Sequence, residues 1–224
     1  MDFTPFDKRG YPVVSAQTGY GEWAGHYEAT VAAGLDRLSW MPSKAHPGTI
    51  LKRRQTWPVA PVALVCGSHN MASDSSTAWT SRLKCCRSPN QRGCIRYLRS
   101  VDVAATDLPS SSYDLWTLVL ADEHLADLKP VYLEAARLLV SGGSFVLIGY
   151  HPFFLMNGTP THYHRADGVA ITIQSYVHLF SEHYQAGHNA DLTLLEFQER
   201  VIDEDWLLTK PSGENTCIGP SVLR

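Results

Sequence analysis

Residues 113–150, YDLWTLVLADEHLADLKPVYLEAARLLVSGGSFVLIGY, constrain the fold more than any other part of the chain. Tyr113-Asp114 opens an apolar run that continues to Ala121, a length suited to a strand buried on both faces. Over residues 128–140, Leu128, Val131, Tyr132, Ala135, Leu138 and Leu139 recur at helical spacing. Ser141-Gly142-Gly143 is expected to stop that helix, because glycine tolerates the left-handed geometry of a helix C-cap. Phe145 to Ile148 is a second apolar run of strand length. Strand, helix and strand in this order imply a crossover between two parallel neighbours in one sheet.

The chain has 224 residues, which reads as one domain (residues 1–224) long enough to bury a full core. Its 44% hydrophobic and 18% charged content fits a globular chain rather than a disordered one. No apolar run approaches the roughly 20 residues of a membrane span. The opening Met1-Asp2-Phe3-Thr4-Pro5 lacks the basic flank and apolar core of a secretory leader, so a cytoplasmic location is the expectation. A net charge of −3 selects no class of partner. The five cysteines are an odd number, which a cytosolic setting would keep reduced.

That near-neutral charge conceals an asymmetry. Across residues 38–100 the only acidic residue is Asp74, against ten Lys or Arg. Four of the five cysteines (Cys66, Cys85, Cys86, Cys94) lie in the same window, with clusters of Ser, Pro and Asn. Arg92, Arg96 and Arg99 occur without a clear apolar face.

The motifs, taken in order, resemble the class I S-adenosylmethionine-dependent methyltransferase family. Tyr113-Asp114 is similar to the pair that opens the family's fourth strand. Leu139-Val140-Ser141-Gly142-Gly143 is similar to the L-x-P-G-G that leads into its fifth, with Ser141 in place of the usual Pro. Upstream, Val101-Asp102-Val103-Ala104-Ala105-Thr106-Asp107-Leu108-Pro109 looks like the family's D-(A/V)-x-x-L-P stretch. Tyr20-Gly21-Glu22-Trp23-Ala24-Gly25-His26-Tyr27 is similar to its aromatic opening. The likeness continues through His151-Pro152 and Gly158-Thr159-Pro160-Thr161-His162 to about Pro211, roughly two-thirds of the chain.

The resemblance implies an α/β fold: a Rossmann-like three-layer α/β/α sandwich with a mostly parallel sheet. It implies S-adenosylmethionine as cofactor and methyl transfer to a small molecule as activity. The family's glycine-rich cofactor loop should fall at Pro61-Val62-Ala63-Leu64-Val65-Cys66-Gly67-Ser68-His69, with Val62 to Val65 as first strand and Gly67 in the loop. Ala63 stands where the family has an acid and His69 where it has a glycine. No acidic residue between Asp74 and Asp102 is available for the ribose hydroxyls. Three readings of this window stay open: a divergent cofactor site, a scrambled segment in a methyltransferase-like chain that binds cofactor weakly or not at all, and a basic nucleic-acid module. In the last, Trp57, Trp79 and Tyr97 would stack bases beside arginines on phosphates, although no recognised nucleic-acid motif is present.

By the same resemblance, Asp102 and Val103 would meet the adenine, one as carboxylate acceptor and one through its backbone N–H. Backbone near Leu118 would run along the methionine part of the cofactor. Tyr20, with Trp23 and Tyr27 at helical spacing, would cover the pocket; packing of an amphipathic helix gives the same spacing. Glu123 or His124, just beyond the fourth strand, could serve as general base; the competing reading has Asp122 capping a helix and His124 packing at its start. His151, just past the residues 145–149 strand, is a second candidate base.

Six of the ten histidines lie between His151 and His188. His162 and His164 would share one side of a strand. His178, His183 and His188 are spaced by five, which on a helix turns each ring by about 140° from the last, so convergence is not expected. No Cys or carboxylate pattern completes a zinc set, and no metal is expected. Residues 171–178 read as a strand leading into a helix over 179–189, and residues 192–199 as a further strand. Residues 212–224, with two glycines and a proline, read as an irregular tail. The acceptor and the oligomeric state are not legible.

Overall fold

The structure is a computed structural model that describes residues 1–25 and 102–199, together with the backbone of residues 62–66. Three strands, β2 (Val62–Cys66), β3 (Tyr113–Val119) and β4 (Leu139–Ile148), form a sheet in the order β2-β3-β4. Both pairings are parallel. Ala63 lies opposite Trp116 and Trp116 opposite Phe145; Leu118 lies between Val65 and Leu147. The expected neighbourhood of the runs at Leu115 and Phe145 is therefore present, and Val62 to Val65 is the strand beside them.

The crossover helix α2 (Lys129–Leu138) begins with Pro130 in its first turn, where the missing N–H costs nothing. It buries Val131, Ala135 and Leu138, the i, i+4, i+7 stripe read from the sequence, in one cluster with Trp116 and Leu118 of β3. The helix ends at Leu138, two residues before the expected stop. Its C-cap, Leu139, is extended and already faces Tyr113. The glycine pair is not the stop signal. Ser111 N–H donates to the Arg137 carbonyl and Ser112 N–H to the Leu138 carbonyl, both at 2.9 Å, so the preceding loop satisfies the helix end. Gly142 (φ 77°) instead lies in an irregular stretch of β4: Tyr113 faces Leu139 while Leu115 already faces Ser144.

A second sheet has the order β1-β6-β5. Here β1 (Val13–Val14) runs parallel to β6 (Ala170–Ile173), and β5 (His162–His164) runs antiparallel to it. Helix α1 (Ala16–Trp23) packs on β6. Ser15 accepts the Thr18 N–H as its N-cap, and a side chain at Gly19 would lie 2.8 Å from Ile173 Cγ1. Tyr20, Trp23, Tyr163, Ile171 and Ile173 join Trp116, Leu118 and Val131 in a single core. Trp116, Ile171 and Ile173 are completely buried, each contributing about 1.5–3 kcal/mol of transfer free energy.

The short helix α3 (Pro152–Met156) follows β4, and α4 (Phe180–Asn189) packs against α2 through Leu128, Tyr132, Ala186 and Ala190. The strand and helix read at 171 and 179 are thus present. The strand read over residues 192–199 is not. After Asp191 (φ 56°) the chain leaves α4 with Leu194 and Leu195 59% and 75% exposed, and no described strand lies beside them. The α/β class and the mostly parallel pairing agree with expectation. A continuous sheet between two helical layers is not contained in the described residues, which hold two three-stranded sheets. Among them no helix is long and apolar enough to cross a membrane.

Candidate active site at the carboxyl edge of the parallel sheet

Where β3 ends, Leu120 takes a left-handed conformation (φ 49°), uncommon for a residue with a Cβ. Its N–H donates to the Ile148 carbonyl at 2.7 Å, tying the turn to the end of β4. Such a conformation costs about 1 kcal/mol or more and recurs at functional sites. Here it directs the next residues across the strand ends, in a single 3-10 turn, Asp122–His124. All three side chains are buried, with 4%, 3% and 9% exposure. Burial of three consecutive ionisable groups is expensive unless each is neutralised or paired.

His124 is held neutral by its burial, and its partners fix its tautomer. The Gln174 carbonyl, 2.8 Å from Nδ1, can only accept, so Nδ1 carries the proton. Nε2 is then the acceptor for the Tyr20 hydroxyl at 2.9 Å, and the two rings meet edge to face. Burial pushes this histidine down to about 4, against the pull of the Gln174 carbonyl and Asp122.

Glu123 Oε1 lies 3.6 Å from His124 Nε2 and accepts from the Thr161 hydroxyl at 3.4 Å. Burial raises its carboxyl to about 7, even though hydrogen bonds oppose the change. Asp122 is driven well above the usual carboxylate range, first by burial and then by the neighbouring Glu123 charge; the Tyr150 N–H pulls the other way. Asp122 packs over Gly149, where a Cβ would come within 2.9 Å of its Cγ. Asp122 Oδ1 and Glu123 Oε2 are buried without a hydrogen-bond partner. On the far side, His183 Nε2 lies 3.6 Å from Asp122 Oδ2, and His183 Nδ1 lies 3.0 Å from the Tyr132 hydroxyl.

Of the residues singled out in the sequence, this arrangement unites Tyr20, Glu123 and His124 just beyond Leu118, which is 1% exposed in β3. Asp122 does not cap a long helix, and His124 is a hydrogen-bonded member of the cluster. Val103 is buried in the same core as Leu118 and Tyr20, and Asp102 Oδ1 accepts the Ala104 N–H at 2.9 Å. The segment that carries them is clipped to α2. Thr106 donates through its N–H (2.8 Å) and its hydroxyl to Glu134 Oε1. Arg137 donates to both Glu134 oxygens, to the Leu108 carbonyl and to the Ser110 hydroxyl. Burial pushes Glu134 up, and the Arg137 and Thr106 hydrogen bonds outweigh it, so its carboxyl sits low.

His151 stands apart. It is the N-cap of α3, with Nδ1 accepting the Phe153 N–H, so Nε2 carries the proton that it shares with Glu199 at 3.0 Å. Gly67 and Tyr27 lie outside the described residues. His162 and His164 share one side of β5, with ring centroids 6.1 Å apart, but no group of three His, Cys, Asp or Glu able to hold a metal occurs among the described residues. His178 and His183 do converge, at 6.0 Å, contrary to the expectation from their spacing. The reason is that α4 starts only after Leu179, so His178 lies outside the helix and the helical rotation does not apply. Sequence reasoning missed His183 and Tyr132 as members of the site. The five-residue histidine spacing was the available signal.

Adjacent parallel strands joined by a crossover helix, with a turn of buried polar residues at their carboxyl edge, define an α/β protein. A methyltransferase domain family model matches residues 59–147, the stretch that begins just before β2 and runs through β3 and α2 into β4. The chain is thus similar to a methyltransferase domain over that stretch. No curated protein and no solved structure gives a significant match.

Proposed function

We propose that the protein transfers a methyl group from S-adenosylmethionine to a small-molecule acceptor at this edge, with Glu123 as the proton acceptor. The observation that carries the reading is the β2-β3-β4 parallel order with Asp122–His124 buried immediately past its central strand. The described residues offer chemistry suited to the cofactor. A carboxylate oxygen of Asp102 and the Val103 N–H suit an adenine edge, backbone near Leu118 suits the amino-acid part, and Tyr20 covers the edge from α1. Gly67 is proposed for the loop at the end of β2. The cofactor, when bound, supplies a sulfonium methyl open to nucleophilic displacement.

The protein's part is positioning and proton removal. A carboxyl with a pKa near 7 is poised to take a proton from an acceptor hydroxyl or amine, and Glu123 has one oxygen without a partner. His124, neutral and fixed by Tyr20 and Gln174, orders the pair without adding charge. His151, the other candidate base, has both ring nitrogens engaged, and its lone pair at Nδ1 is held by the Phe153 N–H. A second reading, a methyltransferase-like protein with impaired cofactor binding, is favoured by Ala63 within β2, where the family carries an acid. Titration calorimetry with S-adenosylmethionine separates the two. Saturable micromolar binding that weakens about tenfold in Asp102→Ala supports the enzyme; absence of heat overturns it.

A further inference from the structure

We propose that Arg9, His162 and His164 form a second site, one that takes a phosphate group, on the face of the smaller sheet opposite the core. The site does not depend on the methyl-transfer reading.

On β5, His162 and His164 alternate with Tyr163, which is buried in the core with Ile171 and Ile173. The two imidazoles therefore share the other face, with ring centroids 6.1 Å apart. Arg9, in the loop before β1, reaches this face. Its Nη1 lies 3.0 Å from His162 Nε2 and 3.3 Å from Nδ1. The Pro160 carbonyl, 2.9 Å from Nδ1, can only accept, so Nδ1 carries the proton and Nε2 accepts from Arg9. The guanidinium carbon also stands 5.8 Å from the centre of the Tyr11 ring, which itself meets His162. Held by a lone pair and an aromatic ring, the guanidinium has a fixed direction but no counter-charge. The other arginines among the described residues differ: Arg137 is paired with Glu134 and Arg165 with Glu22, each through two nitrogens. No carboxylate forms an ion pair with half-buried Arg9 among the described residues. Asp7 Oδ1 is turned to the backbone N–H groups of Arg9 and Gly10. His162 takes one Arg9 donor, which leaves the rest of the guanidinium open to an oxyanion. Burial lowers the His162 pKa against the Pro160 carbonyl, and Arg9 and His164 push it the same way, so the imidazole serves as acceptor until an anion arrives. Thr172 of β6 lies directly opposite His162 and shares its face; it is completely buried, and its hydroxyl has no partner. A guanidinium with free donors, two imidazoles able to add a donor or a charge, and an unsatisfied hydroxyl are the chemistry that receives a phosphate dianion.

Imidazole and guanidinium nitrogen NMR of the full chain reads the site directly, with inorganic phosphate replacing chloride at constant ionic strength so that screening does not change. The His162 and His164 signals should move saturably, with half-saturation on the order of 1 mM. Arg9→Gln should raise the half-saturation about tenfold or more, and Arg9→Lys, which keeps the charge and loses the planar fork, should fall between. Shifts that grow linearly with phosphate, the mark of an adventitious ion only, overturn the proposal, as does saturation unchanged in Arg9→Gln. Should Arg9→Gln fail to fold, the parent protein decides: His162 and His164 must move while His188, exposed on α4, stays in place, and equal movement of all three overturns the site. Phenyl phosphate distinguishes the sources. Binding at least as tight as that of the free ion assigns the group to a monoester, binding of inorganic phosphate alone assigns the site to the free ion, and binding of neither overturns it.

Discussion

Glu123 and His124 are neighbours whose burial acts on stability in opposite directions. Glu123 is raised from 4.5 to about 7 in the folded protein. The fold therefore favours its protonated form, and the stability this supplies is present below about 4.5 and lost as pH rises through about 7. His124 and His183 are lowered from 6.5 to about 4. Their contribution is present above about 6.5 and lost as pH falls toward 4. Asp122, also raised, works with Glu123. Glutamine cannot titrate, so Glu123→Gln should gain on the parent as pH rises. The gain is about 3 kcal/mol between about pH 5 and pH 8, since each tenfold change in proton affinity is worth about 1.4 kcal/mol. Melting temperatures across that range test it. A difference between variant and parent that does not change with pH would show that the Glu123 carboxyl keeps an ordinary pKa.

At the scale of elements, the joint between residues 102–110 and α2 rests on Arg137. Its guanidinium engages Glu134, the Thr106 and Leu108 carbonyls and the Ser110 hydroxyl. In Arg137→Ala, Glu134, 7% exposed in the parent, keeps only its Thr106 donors. A loss of about 2 kcal/mol in urea unfolding is expected, with residues 102–110 freed from α2. The same elements show what sequence can and cannot convey. β3, α2 and β4 were legible because run length and helical period are local properties. The end of α2 was not, because its cap is supplied by Ser111 and Ser112 from the preceding loop and not by the glycines that follow. The strand read at residues 192–199 failed for a similar reason. Alternating apolar residues make a strand only beside a partner, and no described strand is adjacent.

At the scale of the whole molecule, the most protected backbone among the described residues is β3, paired on both edges, with Trp116 and Leu118 at 0% and 1% exposure. Hydrogen–deuterium exchange should be slower there than across residues 193–199, which are exposed and lie in no described strand. Equal rates in the two segments would contradict the architecture. The candidate site belongs to this scale too. Glu123 was legible from its position just after a strand. Tyr132, His183 and the Gln174 carbonyl reach it from separate elements, a convergence that only the tertiary arrangement produces.

The parallel pairing of Val13 and Val14 with Thr172 and Ile173 has a bearing on synthesis. A ribosome delivers the chain from its amino end, so the first valine pair emerges long before the strand that will receive it. At about 10 residues per second the wait is roughly a quarter of a minute. During that interval the leading segment lacks its parallel partner, and this edge of the second sheet closes only once residues 172–173 have emerged.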